Sequence, residues 1–139
     1  MKGNIGNIEE GLRLTLEKRV KEGDLASSKE TSDVKALSTS ALISFVEKAV
    51  NTLINPYLET DITTVSSEIN IKHFKPVFIN ELIRCLVHLK YIDKNELFFD
   101  VSILDKNHDP VAIGAHHRYI VNINKFESSL ISKLNRSKD

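Results

Sequence analysis

Four side chains stand where the sequence pattern asks a chemical question: Thr39, Glu47, His73 and Arg118. In INIKHFKPVFINE, residues 69–81, Ile69 and Ile71 alternate like the inner face of a strand, and His73 is next in that rhythm. Strand side chains repeat every two residues, so His73 shares the isoleucines' face. A histidine so placed is more often a core residue bonded to backbone than a catalyst. Here, however, Lys72, Lys75 and Pro76 mark a strand end, where sites tend to sit, and an imidazole there can shuttle protons. Thr39 opens a helical pattern. It is either a plain N-cap or a hydroxyl beside free helix N–H groups, where an acyl oxygen or oxyanion is stabilised. Glu47 lies at the edge of the same helix's polar face, next to Ile43, Val50 and Ile54. It is either a boundary carboxylate reaching water or a partly desolvated base. Arg118 alternates with His116 and Ile120 on a late strand. It reads as a surface ion pair or as an anion contact, for instance to a phosphate.

The elements that must position these groups are legible from periodicity. LRLTLEKRV alternates Leu12, Leu14 and Leu16 with Arg13, Thr15 and Glu17, as in a half-exposed strand. EGDLASSKETSDVK is polar and reads as a loop of a length that is often functional. STSALISFVEKAVNTLINP places Leu42, Phe45, Val46, Ala49, Val50 and Leu53 at helical spacing, and Ile43 and Ile54 widen the stripe. Ser38, Thr39 and Ser40 supply capping chemistry, and Pro56 ends the helix. Four strand-like runs follow: TTVSSEINIKHF, FINELIRCLVHLKYI, ELFFDVSIL and VAIGAHHRYIVNI. DKNE and DKNHDP between the last three are turn chemistry. Residues 1–10 read as a loose lead-in, and KFESSLISKLNRSKD, with residues 128–139 as tail, as a short helix that frays.

One long buried helix with five strands, mostly joined by hairpins, means an α+β fold with an antiparallel sheet curled round the helix. Such a layout leaves part of the sheet or helix open, which dimerisation would cover. The 139 residues suit a single domain, 1–139. Lys+Arg and Asp+Glu are both 19, so no basic excess draws the chain to nucleic acid or an anionic membrane. No apolar run approaches a membrane span, and MKGNIGNIEEGLRLTLEKRV has no apolar core of a signal peptide. Cys85, the single cysteine, cannot form an internal disulfide and fits a reducing cytoplasm. No phosphate loop, Cys-x-x-Cys or nucleophile elbow occurs. His116–His117 invites a metal, but strand neighbours face opposite ways, so no metal and no cofactor is expected.

Taken together, the four residues resemble the fluoroacetyl-CoA thioesterase type of hotdog-fold thioesterase. That family carries a Thr–Glu–His set, with threonine at the start of the central helix, glutamate two turns on and histidine on the following strand. Thr39 precedes Glu47 by eight residues, and Glu47 precedes His73 by 26, in register with that pattern. NPYLE (55–59) is similar to the segment after the family's helix, and GAHHRYIVNINKF (114–126) to its final strand, with Arg118 on its arginine. The resemblance covers roughly residues 11–127. Two departures stand out. The fluoroacetyl-specific member has a phenylalanine-rich lid between its first strand and helix, whereas residues 22–38 here contain no aromatic residue. The family's glycine seven residues before the histidine is Ser66 here.

The resemblance implies an acyl-CoA thioesterase that releases a short-chain acid and free CoA, with acyl-CoA as its partner, in a dimeric hotdog fold. It implies catalytic roles for Thr39, Glu47 and His73 and substrate-binding roles for Arg118 and Ser66. Thr39, or a water it holds, would attack. His73 would carry the proton, and Glu47 would orient His73 or activate water. Arg118 would anchor CoA phosphates or the acyl end. Eight residues of helix span about 12 Å, so Thr39 and Glu47 of one chain can hardly bond directly. Either His73 bridges them, or a second chain supplies one member at a dimer interface. The rivals are an acyl-CoA-binding hotdog protein without catalysis and a hotdog dehydratase, whose differently placed His and Asp or Glu are not found.

Overall fold

The computed structural model describes residues 8–138. Strand β1 (Arg13–Arg19) leads through a loop to helix α1 (Thr39–Ile54). Strands β2 (Ile62–His73), β3 (Leu82–Asp93), β4 (Glu96–Asp105) and β5 (Pro110–Asn122) follow, and helix α2 (Ile123–Lys138) closes the chain. The sheet order is β1-β3-β4-β5-β2, and every neighbouring pair is antiparallel. β1 and β2 are therefore the two edges of the sheet.

Helix α1 forms because its apolar residues share a stripe wide enough to be enclosed. Ala41, Leu42, Phe45, Val46, Ala49, Val50, Leu53 and Ile54 are all buried against the sheet. Each large member contributes roughly 1.5–3 kcal/mol by leaving water. On the sheet, β3 as far as Leu89 and β4 alternate. Ile83, Cys85, Val87 and Leu89 face inward, as do Leu97, Phe99, Val101 and Ile103. Cys85 is part of this core, and burial pushes its thiol up to about 12, so it is no nucleophile at neutral pH. Gly114 on β5 is demanded by close approach: a Cβ there would overlap the Asn70 carbonyl oxygen of β2. The absence of that Cβ lets β2 close on β5 toward its His73 end.

Three boundaries differ from the periodicity. The strand expected from Phe78 begins at Leu82, because residues 78–81 form a turn. Glu81 accepts from the Phe78 amide through its carboxylate at 2.8 Å and donates its own N–H to the Phe78 carbonyl, with Asn80 at φ 71°. The lead-in is not loose where it is described: Ile8 is buried and the Glu10 carboxylate accepts from the Ile92 amide at 2.9 Å. Residues 1–7 of that lead-in lie outside the described residues. The expected short terminal helix runs for 16 residues, starting where the Ile123 amide donates to the Asp61 carbonyl. Its Leu130, Ile131 and Leu134 are exposed. Among the described residues no helix is long and apolar enough to cross a membrane.

Candidate active site

Ser38, not Thr39, caps helix α1. Its Oγ accepts from the Ala41 amide at 3.0 Å, and its own carbonyl accepts from the Leu42 amide. That division of labour frees the hydroxyl of Thr39, which is the first helical residue and is exposed. Thr39 Oγ1 lies 3.0 Å from His73 Nδ1. The two residues are 34 apart in sequence, and the wrap of the sheet around α1 brings them together. His73 is half-buried at the last position of β2, on the face of Ile69 and Ile71. Burial pushes its pKa below the usual imidazole value, with a backbone hydrogen bond at Lys75 working the other way. The segment beyond is pinned by Lys75, which pairs with Asp105 at the end of β4. Asp105 in turn accepts from the amides of Asn107 and Asp109.

Two turns along α1 a second cluster forms. Ser66 Oγ donates to Glu47 Oε2. Arg118 Nη1 donates to Ser66 Oγ at 2.8 Å, its Nε to Thr64 Oγ1 at 2.7 Å and its Nη2 to the Thr64 carbonyl at 3.0 Å. Arg118 Nη1 also lies 3.2 Å from His116 Nε2. A guanidinium only donates, so Nε2 of His116 must accept. Its proton therefore sits on Nδ1, which donates to the Glu68 carbonyl at 2.8 Å. His116 is completely buried and neutral. Burial first, and the charge of Arg118 behind it, hold its pKa below the usual value against the Glu68 hydrogen bond. The pairing of β2 with β5 slips between Ser66 and Glu68. Such a bulge re-aims the side chains beside it.

Sequence reasoning placed Thr39 and His73 where the structure brings them into contact. It did not foresee that Glu47 sits on Ser66, with no hydrogen bond to His73 among the described residues. Arg118 is not the exposed surface ion pair that strand alternation allowed. Its residue is only 7% exposed, and all three of its nitrogens are engaged by Thr64, Ser66 and His116. A guanidinium so enclosed organises the protein groups round it. Ser66 likewise meets Glu47 and Arg118, so the structure gives it a protein partner where a substrate contact was expected. Thr64 and His116 were missed as members of the cluster, although His116 shares the Arg118 face by strand alternation; Thr64 joins it from β2 through the β2–β5 register. His116 and His117 point to opposite sides, and His117 Nδ1 lies 3.2 Å from the Glu68 carboxylate. No group of three or more metal-ligating side chains occurs among the described residues.

A cavity of ≈ 400 Å³ opens beside Thr39 and Ser40. Its apolar wall comes from Ala26, Val34, Ala36 and Leu37 of the β1–α1 loop. That apolar part is aliphatic, and Thr31 and Ser32 of the same loop add hydroxyls to the lining. Phe74 and Phe78 lie just beyond His73 in sequence, are exposed, and do not line it.

The sequence model of the family described as fluoroacetyl-CoA-specific thioesterase matches residues 20–124. A search of curated protein sequences finds no match. Among solved structures, the fluoroacetyl-CoA thioesterase FlK superposes with a TM-score of 0.84 at 20% identity, over 91% of this chain and 98% of that one. A mutant of that enzyme was crystallised in complex with fluoroacetate and CoA. A thioesterase superfamily member from Thermus thermophilus gives 0.85 at 19% identity, over 94% and 96%. A hot-dog-like protein from Thermanaerovibrio acidaminovorans gives 0.83 at 16%, over 95% and 96%. These identities speak for the fold, and the fold is hotdog: a five-stranded antiparallel sheet wrapped round one long helix.

Proposed function

This chain belongs to the fluoroacetyl-CoA-specific thioesterase family, and from that premise we propose that it hydrolyses short-chain acyl-CoA thioesters to the acid and free CoA. It is a thioester hydrolase; the short acyl chain and the residue roles are our reading. The observation that carries it is the uncapped Thr39 hydroxyl at 3.0 Å from His73 Nδ1. With its second nitrogen protonated, His73 takes the proton of Thr39 or of a water held there, and the oxygen attacks the thioester carbonyl. Ser38 uses the Ala41 amide, which leaves the first amides of α1, at Thr39 and Ser40, for the oxyanion. The C–S bond then breaks, and His73 returns the proton to the leaving thiolate. Water releases the acid by the same route if Thr39 has been acylated.

Glu47 is held away from the Thr39–His73 pair of its own chain, in keeping with eight residues of helix between the two. We place it in the partner's site. β2 is an open edge that carries both Ser66 and His73 on its inner face. If two copies pair β2 to β2 antiparallel about an axis near Ile69 and Asn70, Ser66 with its Glu47 comes opposite the partner's His73. Directly opposed residues of an antiparallel pair share a face. Each complete site then takes Thr39 and His73 from one protomer and Glu47 from the other, in a homodimer.

The test is thiol release from a panel of acyl-CoAs. Acetyl- and propionyl-CoA are expected to be cleaved faster than long-chain thioesters, and fluoroacetyl-CoA without marked advantage over acetyl-CoA. An aliphatic wall discriminates so small a change by only ~1–3 kcal/mol. Thiol release at the spontaneous rate from every thioester would refute the reading. A several-thousandfold preference for fluoroacetyl-CoA would refute the role given to the aliphatic wall.

The pH profile supplies a separate check. His73 acts as a base only when neutral, and burial lowers its pKa from 6.5. Activity is therefore full at neutral pH and is lost as pH falls through a value below 6.5. The acid limb of kcat/KM reports this group in the free enzyme. A limb centred above 6.5 would contradict the assignment.

A further inference from the structure

Among the described residues Ser66 is the one hydrogen-bonded link between the glutamate and the buried arginine, and its chemistry is settled by its two neighbours. Arg118 Nη1, which can only donate, points at Ser66 Oγ from 2.8 Å. The hydroxyl's one proton is thus directed to its other neighbour, Glu47 Oε2. Arg118 cannot swing away, because Thr64 holds its Nε and Nη2 and His116 faces its Nη1. His116 is itself fixed by the Glu68 carbonyl at the β2 bulge. An ordered chain therefore runs from the backbone at Glu68 through His116, Arg118 and Ser66 to one oxygen of Glu47. The other oxygen has no hydrogen-bond partner among the described residues.

We propose that Ser66 is a positioning residue for Glu47: its hydroxyl, polarised by Arg118, holds Oε2 and presents Oε1 to the reacting water. This rests on the reading of Glu47 as part of the thioesterase site. The arrangement removes the rotational freedom of a carboxylate on an otherwise flexible side chain. It also sets a hydroxyl between Arg118 and Glu47 in place of a direct ion pair.

Two variants test this, each read in two ways. Ser66→Ala removes the hydroxyl, and Ser66→Thr keeps it. Loss of a hydrogen bond to a charged group should lower kcat for acetyl-CoA about 10- to 100-fold in Ser66→Ala, with KM little changed and the melting temperature held. Ser66→Thr should recover most of that turnover. The second reading needs no activity. In protein labelled with ¹³C at the glutamate carboxyl carbons, the Glu47 resonance at pH 7 should move in Ser66→Ala and stay near its place in Ser66→Thr. A wild-type protein without thioesterase activity refutes the function but leaves this resonance test standing. An unmoved Glu47 resonance in Ser66→Ala, or Ser66→Ala turnover equal to wild type, overturns the positioning role.

Discussion

His73→Ala is expected to lower turnover by ~10²–10⁴, the range over which a positioned general acid–base acts, while the protein still melts as a folded domain. His73 is half-buried at the very end of β2, and its ring bonds Thr39, an exposed residue. Truncating it strands no deeply buried partner. A core histidine behaves in the opposite way. Its loss would leave a cavity and an orphaned polar group at a cost of about 1–3 kcal/mol, and activity would fall only as the protein unfolded. Turnover and melting temperature measured on one preparation separate the two. A variant with near-normal turnover that melts far below wild type would show His73 to be packing. Within this fold the buried histidine of the structural kind is His116, enclosed and bonded to Glu68 and Arg118.

Mixing inactive chains is expected to restore activity. One variant carries Thr39→Ala with His73→Ala, and the other carries Glu47→Gln. If Glu47 serves the partner's site, a mixed dimer has one site with every lesion and one with none. Random exchange makes half of the dimers mixed, so thiol release should return to about a quarter of the wild-type rate from two nearly silent proteins. If all three residues act within one chain, every site in the mixture keeps a lesion and no activity returns. The exchange is followed by tagging the two variants differently and recovering the mixed dimer. A recovered mixed dimer that stays silent would place Glu47 with its own chain's Thr39 and His73, or outside the chemistry altogether.

What the sequence by itself determined is whatever depends on backbone period and local residue type. Helix α1 and five antiparallel strands follow from spacings of three to four and of two. The inward turn of His73 followed from Ile69 and Ile71, and the opposite facing of His116 and His117 from adjacency. Where a local reading failed, a longer-range bond decided. Phe78–Glu81 carries strand-like residues, yet Glu81 folds back on Phe78 to make a turn. A run of Ser38, Thr39 and Ser40 offers three caps, and only the observed geometry assigns the cap to Ser38 and leaves Thr39 for His73.

Tertiary structure alone decided that Glu47 and Arg118 meet through Ser66. Ser66 lies 19 residues from Glu47 and 52 from Arg118 in the chain, so no local pattern couples them. Their meeting depends on the β2–β5 register and on its slip between Ser66 and Glu68, which no periodicity announces because a bulge adds one residue without changing the residue types around it. The burial of Arg118 has the same origin. An arginine on an alternating strand looks like a surface charge until Thr64, Ser66 and His116 are set round it by register. A guanidinium can stay inside only where its donors are met, and that condition is satisfied by the assembled fold rather than by any segment of it.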